Sequence, residues 1–266
     1  MPPIIHCIRH GQGLHNVAGN YSISDPLLTP LGRQQCEALR CTSFAETGRI
    51  SLVVASPLCR ALETAFLIFE PALTLGGKCN PKILAMPDAQ EISDDPCDTG
   101  SSPALLADTS AAHDWPVDLS LVHDGWNVKA PGSRYGLSSS ALFARARHAR
   151  VLLRDKIREL VKSGDADAEI VLIAHGSFLH YLTGDWEDAL RNPATGWHNC
   201  ETRSYTFEDG WLSDADKKAK LVETETSRRK RGLAYPMYGQ QQQKDLYELA
   251  MRGWEAQGLP RPDKLT

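Results

Sequence analysis

Three short apolar runs, each closed by glycine or proline and followed by a helical period, constrain this chain most. Ile4–Ile8, Ser51–Ser56 ("SLVVAS") and Glu169–His175 ("EIVLIAH") are apolar almost throughout. Strands covered on both faces read that way, whereas half-exposed strands alternate. Thr29-Pro30 gives an N-cap followed by proline at the first helical position, and the helix is expected to run to about Gly48. Ser56-Pro57 repeats the signal ahead of "LCRALETAFLIF", and "GSFLHYLTG" opens a helix after the third run. Lys82–Met86 ("KILAM") is a further short strand, and Thr202–Glu208 alternates like an edge strand. Ser138–Lys162 reads as a long amphipathic helix and "DLYELAMRGWEAQG" as the last one. Strands alternating with helices predict an α/β fold: a three-layer sandwich with a mostly parallel central sheet and helices on both faces. Residues 1–266 are expected to form a single domain, carrying at 92–136 an irregular lid or cap insert without a clear period.

Composition narrows the function. The net charge is −4, without the basic excess of a nucleic-acid binder. No apolar run approaches the ~20 residues of a membrane helix, and the N-terminus lacks a signal-peptide pattern. The seven cysteines are odd in number and contain no CxxC, which fits a reducing compartment, and a cytoplasmic location is expected. "RRKR" (Arg228–Arg231) would suit a nuclear address but reads as a solvated, mobile charge run.

In a parallel sheet the active crevice lies beyond the carboxyl ends of the strands. The first run ends in Arg9-His10-Gly11, Arg60 follows the second in the first helical turn, and the third ends in His175-Gly176. Asp88 and Glu91 follow the "KILAM" strand. Two guanidiniums, two imidazoles and a carboxyl group at one rim suit a phosphate ester. Arginine forks bracket phosphoryl oxygens, one histidine attacks phosphorus, another stabilises charge, and the carboxyl group protonates the leaving oxygen. His15 and His180 stand five positions after His10 and His175, which is not the spacing of a metal-binding helix face, so no metal is expected. Asn16 stands where a dinucleotide fingerprint beginning at Gly11 needs glycine, so no nucleotide cofactor is expected either. His6 reads as a buried, hydrogen-bonded core residue.

"RHGQGLHN" (Arg9–Asn16), "SPLCRALETA" (Ser56–Ala65) and "VLIAHGS" (Val171–Ser177) together resemble the motifs of the histidine phosphatase superfamily, the phosphoglycerate-mutase-like proteins. "HN" in the first motif and "PCDTG" (Pro96–Gly100) are similar to its small fungal and plant phosphatase-like branch. The resemblance implies that His10 is the nucleophile that becomes phosphohistidine. It implies that Arg9, Asn16, Arg60 and His175 bind the phosphoryl group, and that Glu91 is the proton donor and later the base. It implies a metal-independent phosphatase acting on a phosphate or diphosphate ester of a small molecule, without cofactor. A mutase or a phospho-ligand-binding pseudo-enzyme is the alternative, and the oligomeric state, monomer or homodimer, stays open. Asp88 competes with Glu91 for the acid role.

Two expectations concern the pocket. Neighbouring arginines should lower the pKa of His10 and also favour charged Glu91, so that Glu91 becomes a competent acid chiefly once phosphate is bound. The segment 92–136 has seven aspartates against Lys129 and Arg134, a poor match for a polyanion, which favours a hydrolase over a mutase. A substrate with one phosphate or a leaving diphosphate on a sugar-like or apolar body is expected. Trp115 and Trp126 would either stack on that body or pack the segment down.

Overall fold

The structure, a computed structural model, describes residues 2–17, 19–191, 196–208, 210–212 and 218–265. The apolar runs become β1 (Ile4–Arg9), β2 (Ile50–Ala55) and β5 (Glu169–Ala174), and "KILAM" supplies β3 (Ile83–Ala85). With β4 (Val117–Asp118), β6 (Thr202–Phe207) and β7 (Leu221–Glu223) they form one sheet in the order β4-β3-β2-β5-β1-β6-β7. The pairs from β4 to β1 are parallel, and β1–β6 and β6–β7 are antiparallel. The α/β architecture with a mostly parallel sheet therefore stands.

Alternate residues of each strand feed two cores, as the period of two requires. Ile170, Leu172 and Ala174 of β5 join Leu52, Val54, Ile5 and Cys7 under α4 (Ser139–Lys162), α5 (Gly176–Thr183) and α7 (Gln240–Ala256). Val171 and Ile173 join Ile8, Val53 and Ala55 under α1 (Pro30–Thr42) and α2 (Cys59–Thr74). Thr29 caps α1 as read, its hydroxyl accepting from the Gly32 amide at 2.9 Å. Gly32 is obligatory, since a Cβ there would lie 2.2 Å from the Gln12 carbonyl oxygen.

Several boundaries differ from the sequence expectation. The first helix stops at Thr42, not near Gly48: the Thr42 hydroxyl turns back onto the Ala38 carbonyl, and a 3₁₀ turn at Thr47–Arg49 leads into β2. Ser56-Pro57 does not cap α2, whose N-cap is Leu58 without a side-chain bond, although Arg60 does fall in the first turn. β6 is not an edge strand, because β7 pairs with it from within the charged stretch. Its alternation reflects one half-exposed face. The segment 92–136 is not wholly irregular: it holds a 3₁₀ turn (Pro96–Asp98), α3 (Pro103–Ala112, capped by Ser102) and β4. Both tryptophans pack into the core beneath it, Trp126 at 0% exposure and Trp115 at 6%, so neither offers a face to a substrate.

The charged stretch from Lys217 to Arg231 begins outside the described residues, but its end is ordered. "RRKR" lies on and just after α6 (Glu225–Lys230), and it is not a solvated run. Arg228 is buried between Glu187 (3.0 Å) and Glu223 (3.2 Å), and Arg231 binds Glu223 (2.5 Å) and Asp188. Arg229 and Lys230 alone face solvent. His6 is half-buried, and it is hydrogen-bonded as read, to Ser204 (2.8 Å) and Glu169 (3.1 Å).

Candidate active site

Parallel β1, β2, β3 and β5 end at one rim, and the residues after them meet there. The rings of His10 and His175 have centroids 5.1 Å apart. His10 is 2% exposed and directly follows β1. Its Nδ1 lies 2.6 Å from the carbonyl oxygen of Gly11, so Nδ1 carries the proton and donates. Nε2 is then the lone-pair nitrogen, and it accepts from Arg60 Nε at 3.2 Å. The tautomer is thus fixed by two bonds of opposite sense. Gly11 is held close: a Cβ there would sit 2.8 Å from the Gly32 carbonyl oxygen.

Arg60, in the first turn of α2, is 1% exposed. Besides His10, its fork reaches the carbonyl oxygen of Cys97 through Nη1 (2.5 Å) and the Asp98 carboxylate through Nη2 (2.6 Å). Glu63, one helical turn after Arg60, accepts from the Leu28 amide and from Arg33. Arg9, at the end of β1, is half-buried and donates through Nη1 to the Trp197 carbonyl. His175 is the N-cap of α5 and fully buried, with no partner for either ring nitrogen among the described residues. Asn16 accepts from the Gly13 amide (3.0 Å), and its Nδ2 lies 3.0 Å from His15 Nε2, so it braces the loop and His15.

Glu91 and Asp88 separate clearly. Arg134 grips Asp88 with two bonds, at 3.0 and 2.5 Å, away from the histidines. Glu91 sits against the start of α5, accepting from the amides of Ile92 (2.9 Å), Phe178 (2.9 Å) and Ser177 (3.2 Å), beside the His175 cap.

Burial sets the electrostatics. It holds both His10 and His175 well below the ordinary histidine range, with Arg60 reinforcing the effect, so both rings are neutral at pH 7. Burial raises the pKa of Glu91, and the nearby Asp98 charge adds to this, outweighing the amide bonds and Arg60. Desolvation thus opposes the pull of the arginines, which on the sequence reading favours the charged form.

The structure adds residues the sequence reading gave no role. His15, with its ring 5.7 Å from that of His10, is held by burial and Arg60 at about 3. Lys129, from the 92–136 segment, is buried, with its pKa lowered to about 8 by burial, and donates to the carbonyls of Ser93 and Asp98 (2.7 Å). Arg145 of α4 is buried over the Phe178 ring (4.9 Å), and burial lowers its pKa to about 10. Arg145 had a visible signal: it falls on the same stripe as Leu142, Ala146 and Ala149. Asp98 lay within the quoted "PCDTG" stretch without a role of its own, and Lys129 had no signal, since its loop carries no period.

A sequence profile described as the Histidine phosphatase superfamily (branch 1) matches residues 5–211. The chain belongs to that superfamily. Among its relatives is a phosphoglycerate mutase-like protein of Arabidopsis thaliana, 28% identical over 245 residues, which cover 77% of this chain and 84% of that one. A Schizosaccharomyces pombe protein that carries the name of a phosphatase is 35% identical over 121 residues, 42% of this chain and 55% of its own. In fold, this histidine phosphatase superfamily member resembles the ecdysone phosphate phosphatase of Bombix mori, solved in complex with tungstate, with TM-score 0.55, 15% identity, and 78% and 90% of the two chains covered. No described helix is long and apolar enough to cross a membrane.

Proposed function

We propose that the protein is a metal-independent phosphatase that hydrolyses a phosphate or diphosphate ester of a small molecule through phosphohistidine. The observation that carries this reading is the tautomer of His10: Nδ1–H donates to the Gly11 carbonyl, and the Nε2 lone pair stands beside the Arg60 fork at 3.2 Å. A neutral imidazole, oriented and buried next to guanidiniums, is an activated nucleophile for an anion.

In the first step Nε2 of His10 forms a bond to phosphorus as the bond to the ester oxygen breaks. Glu91, whose pKa burial raises, gives a proton to the departing oxygen. Arg9, Arg60 and Asn16 hold the equatorial oxygens, and His175 donates to one of them from a ring with no other partner among the described residues. In the second step the Glu91 carboxylate takes a proton from water. The hydroxide oxygen bonds to phosphorus, and the P–N bond returns its electron pair to Nε2. The names of the fission-yeast relative and of the Bombix mori structure support phosphatase chemistry. Hydrolysis is favoured over phosphoryl transfer between sugars or acids because the cations of the 92–136 segment are engaged: Arg134 on Asp88, Lys129 on backbone carbonyls.

A panel of phosphate and diphosphate esters, assayed in EDTA with His10→Ala as control, tests the reading. Phosphate release by the wild type alone is expected. Release by His10→Ala at the same rate would overturn it.

A further inference from the structure

A second concave surface lies at the far end of α5 from His175. It is a cleft of about 930 Å³ between the C-terminal end of α5, α4, β7 and the first turns of α7. Small-molecule sites occupy roughly 300–1,000 Å³. Gln243 of α7 lines the cleft and is 8% exposed. Its Oε1 accepts from the Trp186 amide at 2.8 Å, which fixes the orientation of the side-chain amide. Its Nε2 is buried and has no hydrogen-bond partner among the described residues. A buried donor of this kind calls for an acceptor.

The surroundings indicate which acceptor. The helical bonds of α7 begin where the Gln243 amide donates to the Gly239 carbonyl at 3.0 Å, so the amides of residues 240–242 precede the first such bond. The first turn has neither a capping side chain nor an acid, and the positive end of the helix is left uncompensated. Lys244 follows, exposed and without a partner among the described residues. Arg150 lines the same cleft, its fork donating to the carbonyls of Tyr181 (3.2 Å), Leu182 (3.0 Å) and Lys218 (3.0 Å). Lys218 and Lys220 add two more cations. Glu208 is the one carboxylate among the described residues lining the cleft, and it already pairs with Lys220 at 3.1 Å. One wall is aromatic. Trp186 meets Tyr247 (4.8 Å) and Tyr181 (5.1 Å) edge to face, and Phe143, 42% exposed, stands 5.0 Å from Tyr181.

We propose that this cleft binds a small molecule that carries an anionic group on a flat apolar body. The anionic group meets the start of α7, Lys244 and Nε2 of Gln243, and the body lies along the aromatic wall. The site is independent of the phosphatase reading, since neither His10 nor Arg60 lines it.

Calorimetric titration of the full chain with 2-naphthoate tests this. Saturable binding at about millimolar concentration or below is expected. The neutral 2-naphthylmethanol, which lacks the charge, and acetate, which lacks the body, should each bind at least about tenfold more weakly. Gln243→Glu keeps an oxygen for the Trp186 amide but replaces the free donor with a carboxylate oxygen, and it should weaken 2-naphthoate at least about tenfold. Lys244→Glu, an exposed charge reversal, should weaken it about fivefold. Gln243→Glu decides the matter where its urea midpoint matches the wild type, and Lys244→Glu decides it otherwise. Affinity unchanged in the deciding variant, as expected for 2-naphthoate held in the phosphoryl pocket, would overturn the proposal. So would equal affinity for the neutral analogue, or no binding of 2-naphthoate at all.

Discussion

At the scale of single residues the chemistry reduces to where protons sit. His10 is neutral because burial and two guanidiniums disfavour its cation, while burial and Asp98 raise the pKa of Glu91. These shifts act oppositely on rate. The acid side of the kcat profile should fall only below the ordinary histidine range near 6.5, since His10 must be deprotonated to attack. The alkaline side should fall above the ordinary glutamate range near 4.5, since Glu91 must be protonated to donate. Glu91→Gln should lower kcat on alkyl phosphates by about 10² to 10⁴ and leave the bell without its alkaline limb, measured over pH 4–9. Arg9, His10, Arg60 and His175 were readable because each follows a buried run or opens the next helix, and the sheet rule brings such positions together. The placement of His15, Asp98 and Lys129 beside them was not, although the first two lie in quoted motifs, because loop residues meet through turns that no local pattern encodes.

At the scale of elements, a charge run became a fastener. Glu187, Glu223 and Asp188 surround Arg228 and Arg231, and Arg203 lies 3.8 Å over the Trp197 ring in the same region. These contacts lock β6, β7 and α6 against the parallel part of the sheet. Arg228→Ala removes the ion pair of buried Glu187 and leaves Glu223 to Arg231, and it should cost about 3 kcal/mol in urea unfolding. Arg229→Ala, exposed on the same helix and bonded to exposed Glu225, should stay within about 0.5 kcal/mol. Equal effects of the two changes would refute this division. β7 and α6 escaped the sequence reading because buried ion pairs leave the same composition as a solvated surface, and only the third dimension distinguishes them. α3 escaped although Ser102-Pro103 is the same start signal that marks α1. Surrounding aspartates and glycines masked it.

At the scale of the whole molecule, four parallel strands carry the site and three further strands extend the sheet around them. The parallel part was readable from apolar runs buried on both faces. Of the antiparallel extension, β6 was readable from its alternation and β7, with three residues, was not. Folding also encloses three neutral histidines, His10, His15 and His175, each with a lowered pKa. The unfolded chain protonates them near 6.5 and the folded chain does not, so stability present above that pH is lost as pH falls toward the folded values. Each contributes at most about 1.4 kcal/mol per pH unit. Glu91 has the opposite sign, because its raised pKa makes folding less favourable as pH rises through it. Urea midpoints at pH 7.5 and 5.5 should therefore drop on acidification, and a flat profile would mean that the rings are not buried neutral. The central claim concerns one bond, between phosphorus and Nε2 of His10. Rapid acid-free quenching during turnover of a radiolabelled phosphate ester, followed by peptide mapping, tests it most directly. The account predicts acid-labile label on the peptide that contains His10 and none in His10→Ala; label on the His175 peptide, or turnover by the wild type with no labelled enzyme, would contradict it.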